Sequence, residues 1–380
     1  MDSKLDNRQK FLIAATGALV LVTVLPLFDF NYWLIRIWDF PRPQIVVLAL
    51  LLSFAVLILD KPTRRLTPML SATLLCILLI QTNRILPYTP LGALEVQRTE
   101  RLASGRNLTI LGANVLMTNR EAEALKKQIE ETKPDLLLLT ECDQWWLDTL
   151  DTKDYPYRVE EPLDNTYGMA LYSRLKLIDP EVKYLLEDDI PSIHTKLVLP
   201  SGELVKLYCV HPRPPAPQES DSTAQRDAEL ILLAKESSKI NDLPIIVVGD
   251  LNDVAWSPTT RHFQAQSGLL DPRKGRGLYN TFHADIPLLR FPLDHIFFSS
   301  HFRLAELKVL PYVGSDHFPI LANLSLEDSA PVYQPTPTPT PGTEEETERT
   351  IEEVELAVAH DRRAVGVDVE LLPTAVALAI

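Results

Sequence analysis

Three uncharged apolar runs occupy the first 83 residues, each too long to be a strand. They lie between Lys10 and Asp29, between Arg42 and Asp60, and between Arg65 and Arg84. Each holds 17 or 18 residues, the lower end of the 17–25 or so that a helix needs to cross a bilayer core. No small-residue cleavage site follows the first run. The pattern therefore predicts three membrane spans rather than a signal peptide followed by two core helices.

From about Asn107 the pattern changes to short apolar runs alternating with helical periods. Strands are predicted at 107–115, 136–140, 168–173, 194–199, 203–210, 245–249, 293–299, 302–310 and 318–326. Helices are predicted at 119–131 and 221–239, and Ser201-Gly202 signals a hairpin between two of the strands. Strands mixed with helices and hairpins imply a layered α/β domain with a mixed sheet. PVYQPTPTPTPG (331–342) reads as an extended Pro/Thr linker. The acidic segment beyond it, with one possible helix at 344–359, reads as a disordered tail. The expected organisation is an anchor over 1–84, a catalytic domain over 104–327, and a linker and tail over 328–380.

Charge adds an orientation. Lys4, Arg8 and Lys10 precede the first span, and Lys61, Arg64 and Arg65 crowd the loop between the second and third. The loop between the first and second has only Arg36 and Arg42. Short basic loops stay in the cytoplasm, so the N-terminus should be cytoplasmic and everything after Arg84 extracytoplasmic. The protein is expected to be a multi-pass protein of the cell (inner) membrane. Residues 104–327 hold 23 basic and 33 acidic residues within a chain of net charge −14, which disfavours a nucleic-acid-coating protein. Three scattered cysteines, Cys76, Cys142 and Cys209, make neither a disulfide scaffold nor a zinc framework.

The candidate chemistry stands at strand ends, where side chains leave a sheet and converge at its rim. Asn114 follows LTILGA, Glu141 follows LLLLT, and His211 follows VKLYCV. Asp250 and Asn252 lie in VVGDLND, Asp294 in PLDHIFF, and Asp316-His317 before FPILANL. Carboxylate oxygens with few cysteines favour a hard cation, Mg²⁺ or Mn²⁺. The histidines and asparagines add donors for a phosphate. Neither a G-x-S-x-G elbow nor a P-loop occurs, so the set suits metal-assisted attack of water on phosphorus.

These motifs, in this order, resemble the endonuclease/exonuclease/phosphatase superfamily, which includes deoxyribonuclease I. The resemblance covers roughly 107–326 through ANVL, PDLLLLTE, GMALYSR, CVHPRPP, VVGDLND, LDHIFFS and SDHFPI, and GDLND with SDHFP is its most specific pair. Three spans ahead of such a domain are similar to a membrane-anchored bacterial branch linked in part to glycopeptide resistance. The resemblance implies a four-layer α/β sandwich of two mixed β-sheets. It implies Glu141 as principal metal ligand, with Asn114 and Asp316 beside it. It implies His211 and Asn252 on the phosphate, Asp250 orienting the water, and Asp294 orienting His317 beside the scissile bond. Arg213, in the proline-stiffened turn after His211, is a candidate to reach a substrate phosphate, with an ordinary surface arginine as the default reading. Several nucleases of the family carry an acidic residue where Leu116 stands, and Asn119 is the candidate to compensate. Ser257 is expected to be structural.

Three functions compete. One is a phosphatase or phosphodiesterase acting on a lipid or lipid-linked phosphate, its site held near the bilayer by the anchor. The second is an anchored nuclease, for which Arg273, Lys274 and Arg276 are the densest basic group. The third is a binding module without catalysis, disfavoured by the complete set of catalytic types. The orientation is tested by fusing a reporter after Val332. Alkaline phosphatase fused there should be active and a cytoplasmic fluorophore dark; the reverse result rejects the span count.

Overall fold

A computed structural model of the chain describes residues 5–28, 30–59, 66–99, 101–216, 220–339, 345 and 347–352. The predicted spans are helices α1 (Asn7–Val24), α3 (Arg42–Leu59) and α4 (Leu66–Ile85), with a single turn, α2 (Trp33–Arg36), between the first two. All three are long and apolar enough to cross a membrane. Asp6 caps α1 by accepting from the Gln9 amide, and the Gln9 side chain accepts from the Asp6 amide in return. The three helices pack through Leu12, Ala49, Val56, Leu74 and Ile77, while Leu51, Phe54, Leu57 and Leu79 stay exposed. A bundle with large apolar side chains on its outer surface is arranged for lipid rather than water. The basic residues Lys61, Arg64 and Arg65 lie outside the described residues.

One end of the bundle is tied by buried polar groups. Arg42 Nη1 donates to Gln81 Oε1 at 2.8 Å, and Gln81 Nε2 donates to Thr23 Oγ1 at 3.0 Å, so α1, α3 and α4 share one chain of hydrogen bonds. Asp39 pairs with Arg42 and lies 3.4 Å from Arg36. Polar groups at this depth persist only when paired, so the chain fixes how the three helices meet.

The second part of the chain is two sheets packed face to face. Strands β1 (Asn107–Asn114), β2 (Leu136–Thr140), β3 (Tyr157–Glu161), β4 (Met169–Ser173), β10 (Phe302–Val309) and β11 (Ile320–Leu326) form one, in the order β10-β11-β1-β2-β4-β3. Strands β5 (Lys176–Lys183), β6 (Ser192–Val198), β7 (Leu204–Val210), β8 (Ile245–Asp250) and β9 (Asp294–Phe298) form the other in sequence order. Only β1–β2 and β7–β8 pair in parallel, so both sheets are mixed. Their crossovers carry α5 (Glu123–Thr132) and α7 (Ala224–Ser238), and the domain also has α6 (Gln144–Thr149), α8 (Pro258–Ser267) and α9 (Ala330–Tyr333).

Strand alternation builds the layers. Leu108, Ile110, Leu136, Leu138, Leu207, Ile246, Val248 and Ile296 point into the gap between the sheets. Their neighbours Leu111, Leu137 and Leu139 turn outward under Leu125 of α5 and Trp146 of α6. On the other sheet Tyr208, Val247 and Phe297 turn outward under Leu230 of α7 and Phe263 of α8. The result is helix, sheet, sheet, helix: the expected four-layer α/β sandwich.

The differences from the sequence reading have local causes. β3 and β5 are edge strands that stay largely exposed and carry charges, so they lack an apolar period. α5 begins at Glu123, later than the predicted residue 119, because Asn119 is taken by a loop. Residues 97–99 pair along β10, and Val96 enters the core between the sheets. At the other end Gln334 is buried and hydrogen-bonds Gln97, Ser300 and Phe302. The packed unit therefore exceeds 104–327 on both sides. Residues 347–352 are helical, and Ile351 packs against α7; residues 353–380 lie outside the described residues.

The anchor docks on the sandwich through its polar end. Trp256 Nε1 donates to the Asp39 carbonyl at 2.7 Å, and Tyr88 Oη donates to the Ala255 carbonyl at 2.5 Å. The amides of Trp33 and Thr223 donate to Asp221 and Asn31 across the same junction. Trp256 and Ala255 lie just beyond β8, so the anchor grips a loop that begins at Asp250.

Candidate active site

Topology gathers the candidate residues on one rim. Asn114 closes β1, Glu141 follows β2, His211 follows β7 and Asp250 closes β8. The antiparallel partners of these strands start where they end. Asp294 opens β9 directly opposite Asp250 in register, and Asp316-His317 precede β11, which runs against β1.

The chain turns sharply at three of these ends. Leu116, Glu141 and Asn252 have φ of 56°, 54° and 51°, a left-handed conformation that costs a residue with a Cβ roughly 1–2 kcal/mol. Hydrogen bonds hold each one. The Leu116 amide donates to Asn114 Oδ1 (3.0 Å), and the Asn252 amide donates to Asp250 Oδ1 (2.9 Å). Beyond Glu141, the Cys142 amide donates to the Gly168 carbonyl (3.1 Å). Gly249 meets a steric requirement: a Cβ there would stand 1.9 Å from the Val210 carbonyl oxygen.

The side chains then meet. Asn114 Nδ2 donates to Glu141 Oε1 at 2.7 Å and to Asp250 Oδ2 at 3.1 Å, linking the two sheets. His317 Nδ1 donates to Asp294 Oδ2 at 2.8 Å, and its Nε2 lies 3.5 Å from Asp250 Oδ2. His211 Nε2 lies 3.9 Å from the same oxygen. One ligand atom from each of Glu141, His211 and Asp250 falls within 4.8 Å of the others, and so it is for Asp250, Asp294 and His317.

Burial and charge set the protonation states. Burial would lower the His317 pKa, but the Asp294 and Asp250 carboxylates raise it to about 10. Burial would raise Asp250, yet His317, His211 and two hydrogen bonds hold it below the usual carboxylate range. Glu141 is pushed up to about 7, first by burial and further by the charges of Asp250 and Asp316, against the Asn114 hydrogen bond and His317. This site therefore carries more negative charge than its own donors balance. Hard oxygen ligands with a carboxylate raised by burial and like charge could hold a divalent cation, and the ligand atoms that converge for it are those of Glu141, Asp250 and His211, with Asp316 adding negative charge nearby.

Other expected residues are employed differently. Asn114 turns its amide nitrogen to the carboxylates and its oxygen to the Leu116 amide, which positions the two acids. Arg213 pairs with Glu187 at 2.6 Å and Asp189 at 3.5 Å, and its guanidinium stacks 5.2 Å from the Tyr167 ring. Tyr167 in turn packs 5.7 Å from the His211 ring, so Arg213 braces the site through that tyrosine. Asn119 clasps the carbonyls of Val115 and Val313 and does not replace an acid at Leu116. Ser257 caps α8 and bonds Asp253, as a structural residue would.

Several supporting residues escaped the sequence reading. Arg226, buried on α7, donates to the Asn252 carbonyl at 2.9 Å and lies 3.5 Å from Asp253. Thr281 accepts from the Asp294 amide, and the Phe282 ring packs 4.9 Å from that of His317. None stands at a predicted strand end, and Arg226 sits inside an ordinary amphipathic helix. Tyr167, adjoining GMALYS, is the one with a positional signal.

The model of the Endonuclease/Exonuclease/phosphatase family matches residues 111–317, more than half of the chain. The chain belongs to the endonuclease/exonuclease/phosphatase family. It is accordingly a metal-dependent phosphoric-ester hydrolase, and the matched residues run from β1 to His317, the stretch that carries the whole rim. Comparison with curated proteins gives no match. Among solved structures, Danio rerio TDP2 complexed with single-strand DNA product is 18% identical, with TM-score 0.49, over 58% of this chain and 99% of that one. Human Nocturnin catalytic domain with bound sulfate is 18% identical, with TM-score 0.46, over 63% and 99%. Bacteroides thetaiotaomicron mannosyl-6-phosphatase is 18% identical, with TM-score 0.46, over 58% and 100%.

The Asp294–His317 pair yields a prediction. Asp294→Asn should lower kcat by about 10²-fold, and adding His317→Ala should cost almost nothing beyond His317→Ala alone. The raised His317 pKa also stabilises the fold. That contribution is complete below about pH 6.5, the ordinary His value, and is lost as pH rises through about 10. Denaturant midpoints of wild type and Asp294→Asn should therefore converge across that window. Multiplicative kinetic losses, or a gap that widens with pH, would show that the two side chains act independently.

Proposed function

We propose that the protein is a membrane-anchored, divalent-metal-dependent phosphoesterase acting on a lipid or lipid-linked phosphate on the extracytoplasmic face. One observation carries this reading: the polar end of the three-helix bundle grips the loop that leaves Asp250, through Asp39–Trp256 and Tyr88–Ala255. A site built against the end of its own membrane spans meets lipid phosphates at high local concentration. The basic loops favour the extracytoplasmic side.

Each residue has a task in hydrolysis. Asp250, kept ionised, accepts a hydrogen bond from the attacking water and aims it at phosphorus. His317, kept protonated by Asp294, donates from Nε2 to a phosphate oxygen. His211 flanks the phosphate from the Tyr167 side. Asn252, whose side chain donates to the Pro212 carbonyl (2.9 Å), keeps the His211 turn beside Asp250. Bound at Glu141, Mg²⁺ or Mn²⁺ supplies positive charge against the non-bridging oxygens.

Nucleic acid is the less favoured substrate. The basic trio expected to serve it is turned inward or paired. Arg273 is buried against Asp271, Lys274 pairs with Glu95, and Arg276 donates to the carbonyls of Pro272 and Val96.

The test is a substrate panel on the full-length protein in proteoliposomes, with prenyl pyrophosphates, phospholipids, inositol phosphates and plasmid DNA. A lipid phosphate should be hydrolysed, chelation should abolish the activity, and Mg²⁺ or Mn²⁺ should restore it. Glu141→Gln should weaken metal activation, and Asp250→Asn should lower kcat by about 10²–10³ with little change in KM. Full activity in excess chelator, or activity on DNA alone, would reject the proposal.

A further inference from the structure

We infer that the loop Ile286–Leu289 lies in the surface of the bilayer and forms a lipid-facing lip of the active site. The role of this lip in catalysis rests on the proposed lipid substrate, whereas its insertion into the bilayer does not.

The loop has two sides. Its inner side belongs to the site. The Ala284 amide donates to the Asp316 carbonyl at 2.6 Å, and Phe282 packs against His317 with ring centroids 4.9 Å apart. Arg290 Nη2 donates to the Ala284 carbonyl at 3.0 Å and closes the loop on itself. Its outer side is apolar and bare: Ile286 is 42%, Leu288 80% and Leu289 47% exposed. A short loop that spends three large aliphatic side chains on solvent, beside a catalytic rim, marks an interaction surface.

The membrane spans identify what covers it. Gln44 Nε2 donates to the Leu288 carbonyl at 2.9 Å. Gln44 is the third residue of α3, and Val47 and Leu48 follow three and four residues later on the same helix face. Both are more than half exposed, at 55% and 53%, so that face is the one turned to lipid. The Leu288 backbone thus sits about one helical turn beyond the lipid-facing stripe. The length of α3 leaves little freedom. Its 18 residues rise about 27 Å at 1.5 Å each, barely the ~30 Å of a hydrocarbon core. A helix that short cannot carry Gln44 far into water and still reach the other side. The loop is therefore held at the hydrocarbon boundary. Phe28, Phe30, Tyr32 and Leu34, exposed in the connection between α1 and α3, populate the same end of the bundle, as aromatic residues do at an interface.

The lip has a consequence for access. A phosphate carried on a lipid can reach Asp316 and His317 from the bilayer side while its chains remain among the other lipids. A soluble phosphate gains nothing from the loop.

Depth quenching tests the inference in the full-length protein in liposomes. Cys142 and Cys209 are buried and Cys76 is exposed, so a Cys76→Ser background allows one labelled cysteine. A fluorophore on Leu288→Cys should be quenched by nitroxide-labelled lipid and protected from iodide. The same label on Leu204→Cys, at the far end of β7 from His211, should show the opposite. Iodide quenching at 288 equal to that at 204 would overturn the insertion. In the activity arm, Ile286→Ser, Leu288→Ser and Leu289→Ser combined should lose about tenfold in kcat/KM on a long-chain lipid phosphate in vesicles. The same variant should keep its kcat/KM on a soluble short-chain phosphate ester. Equal losses on both substrates, or none on the lipid, would overturn the lip. Lipid quenching at 288 in a protein that hydrolyses only soluble esters would support the insertion and reject the lipid substrate instead.

Discussion

Carboxylates from two separate sheets are forced into one dry gap, and much of the molecule is arranged around that repulsion. Glu141 comes from the first sheet, Asp250 and Asp294 from the second, and all three are largely removed from water. Like charges at this range would drive the sheets apart or take up protons. The Asn114 amide answers part of the problem by donating to Glu141 and Asp250 together. The His317 imidazolium answers another part, lying between Asp250 and Asp294. Glu141, raised by burial and by the nearby carboxylates, is the acid at which a bound cation would complete the balance.

That rim is also where the anchor takes hold. The loop beyond Asp250 is fixed on one side by Arg226 and on the other by Asp39 and Tyr88 from the spans. Here hydrogen bonds from Trp256 to the Asp39 carbonyl and from Tyr88 to the Ala255 carbonyl relate the three-helix bundle to the catalytic rim, with Trp256 and Phe291 packed against Tyr88 and Phe40. The position of the site relative to the three-helix bundle is therefore set by packed side chains rather than by a linker.

Much of this was legible in the chain. Buried strands announce themselves by apolar runs, and the residue ending each run is where topology delivers a side chain to the rim. Glu141, His211, Asp250, Asp294 and His317 all follow that rule and meet. The three spans were equally plain, because a bilayer demands length and apolarity of each helix separately. What stayed hidden depends on contacts between distant segments. β3 and β5 are charged edge strands with no apolar period. Arg213 reads like a phosphate ligand until Glu187 and Asp189 appear beside it. Arg273, Lys274 and Arg276 look like a basic surface, although their partners lie as far off as Glu95 and Val96. The docking of Trp256 on Asp39 has no local signal, since its two ends are 217 residues apart.

Glu141 would complete, with Asp250 and His211, a cluster that takes up one divalent cation. Thermal unfolding of the full-length protein with and without Mg²⁺, at pH 8 where Glu141 is mostly ionised, tests it without reference to any substrate. In metal-free buffer Glu141→Gln should unfold at a higher temperature than wild type, because it removes a repulsive charge. Mg²⁺ should raise the Tm of wild type and leave that of Glu141→Gln nearly unchanged. Equal Mg²⁺ shifts in both proteins, or a wild type more stable than Glu141→Gln without metal, would contradict it.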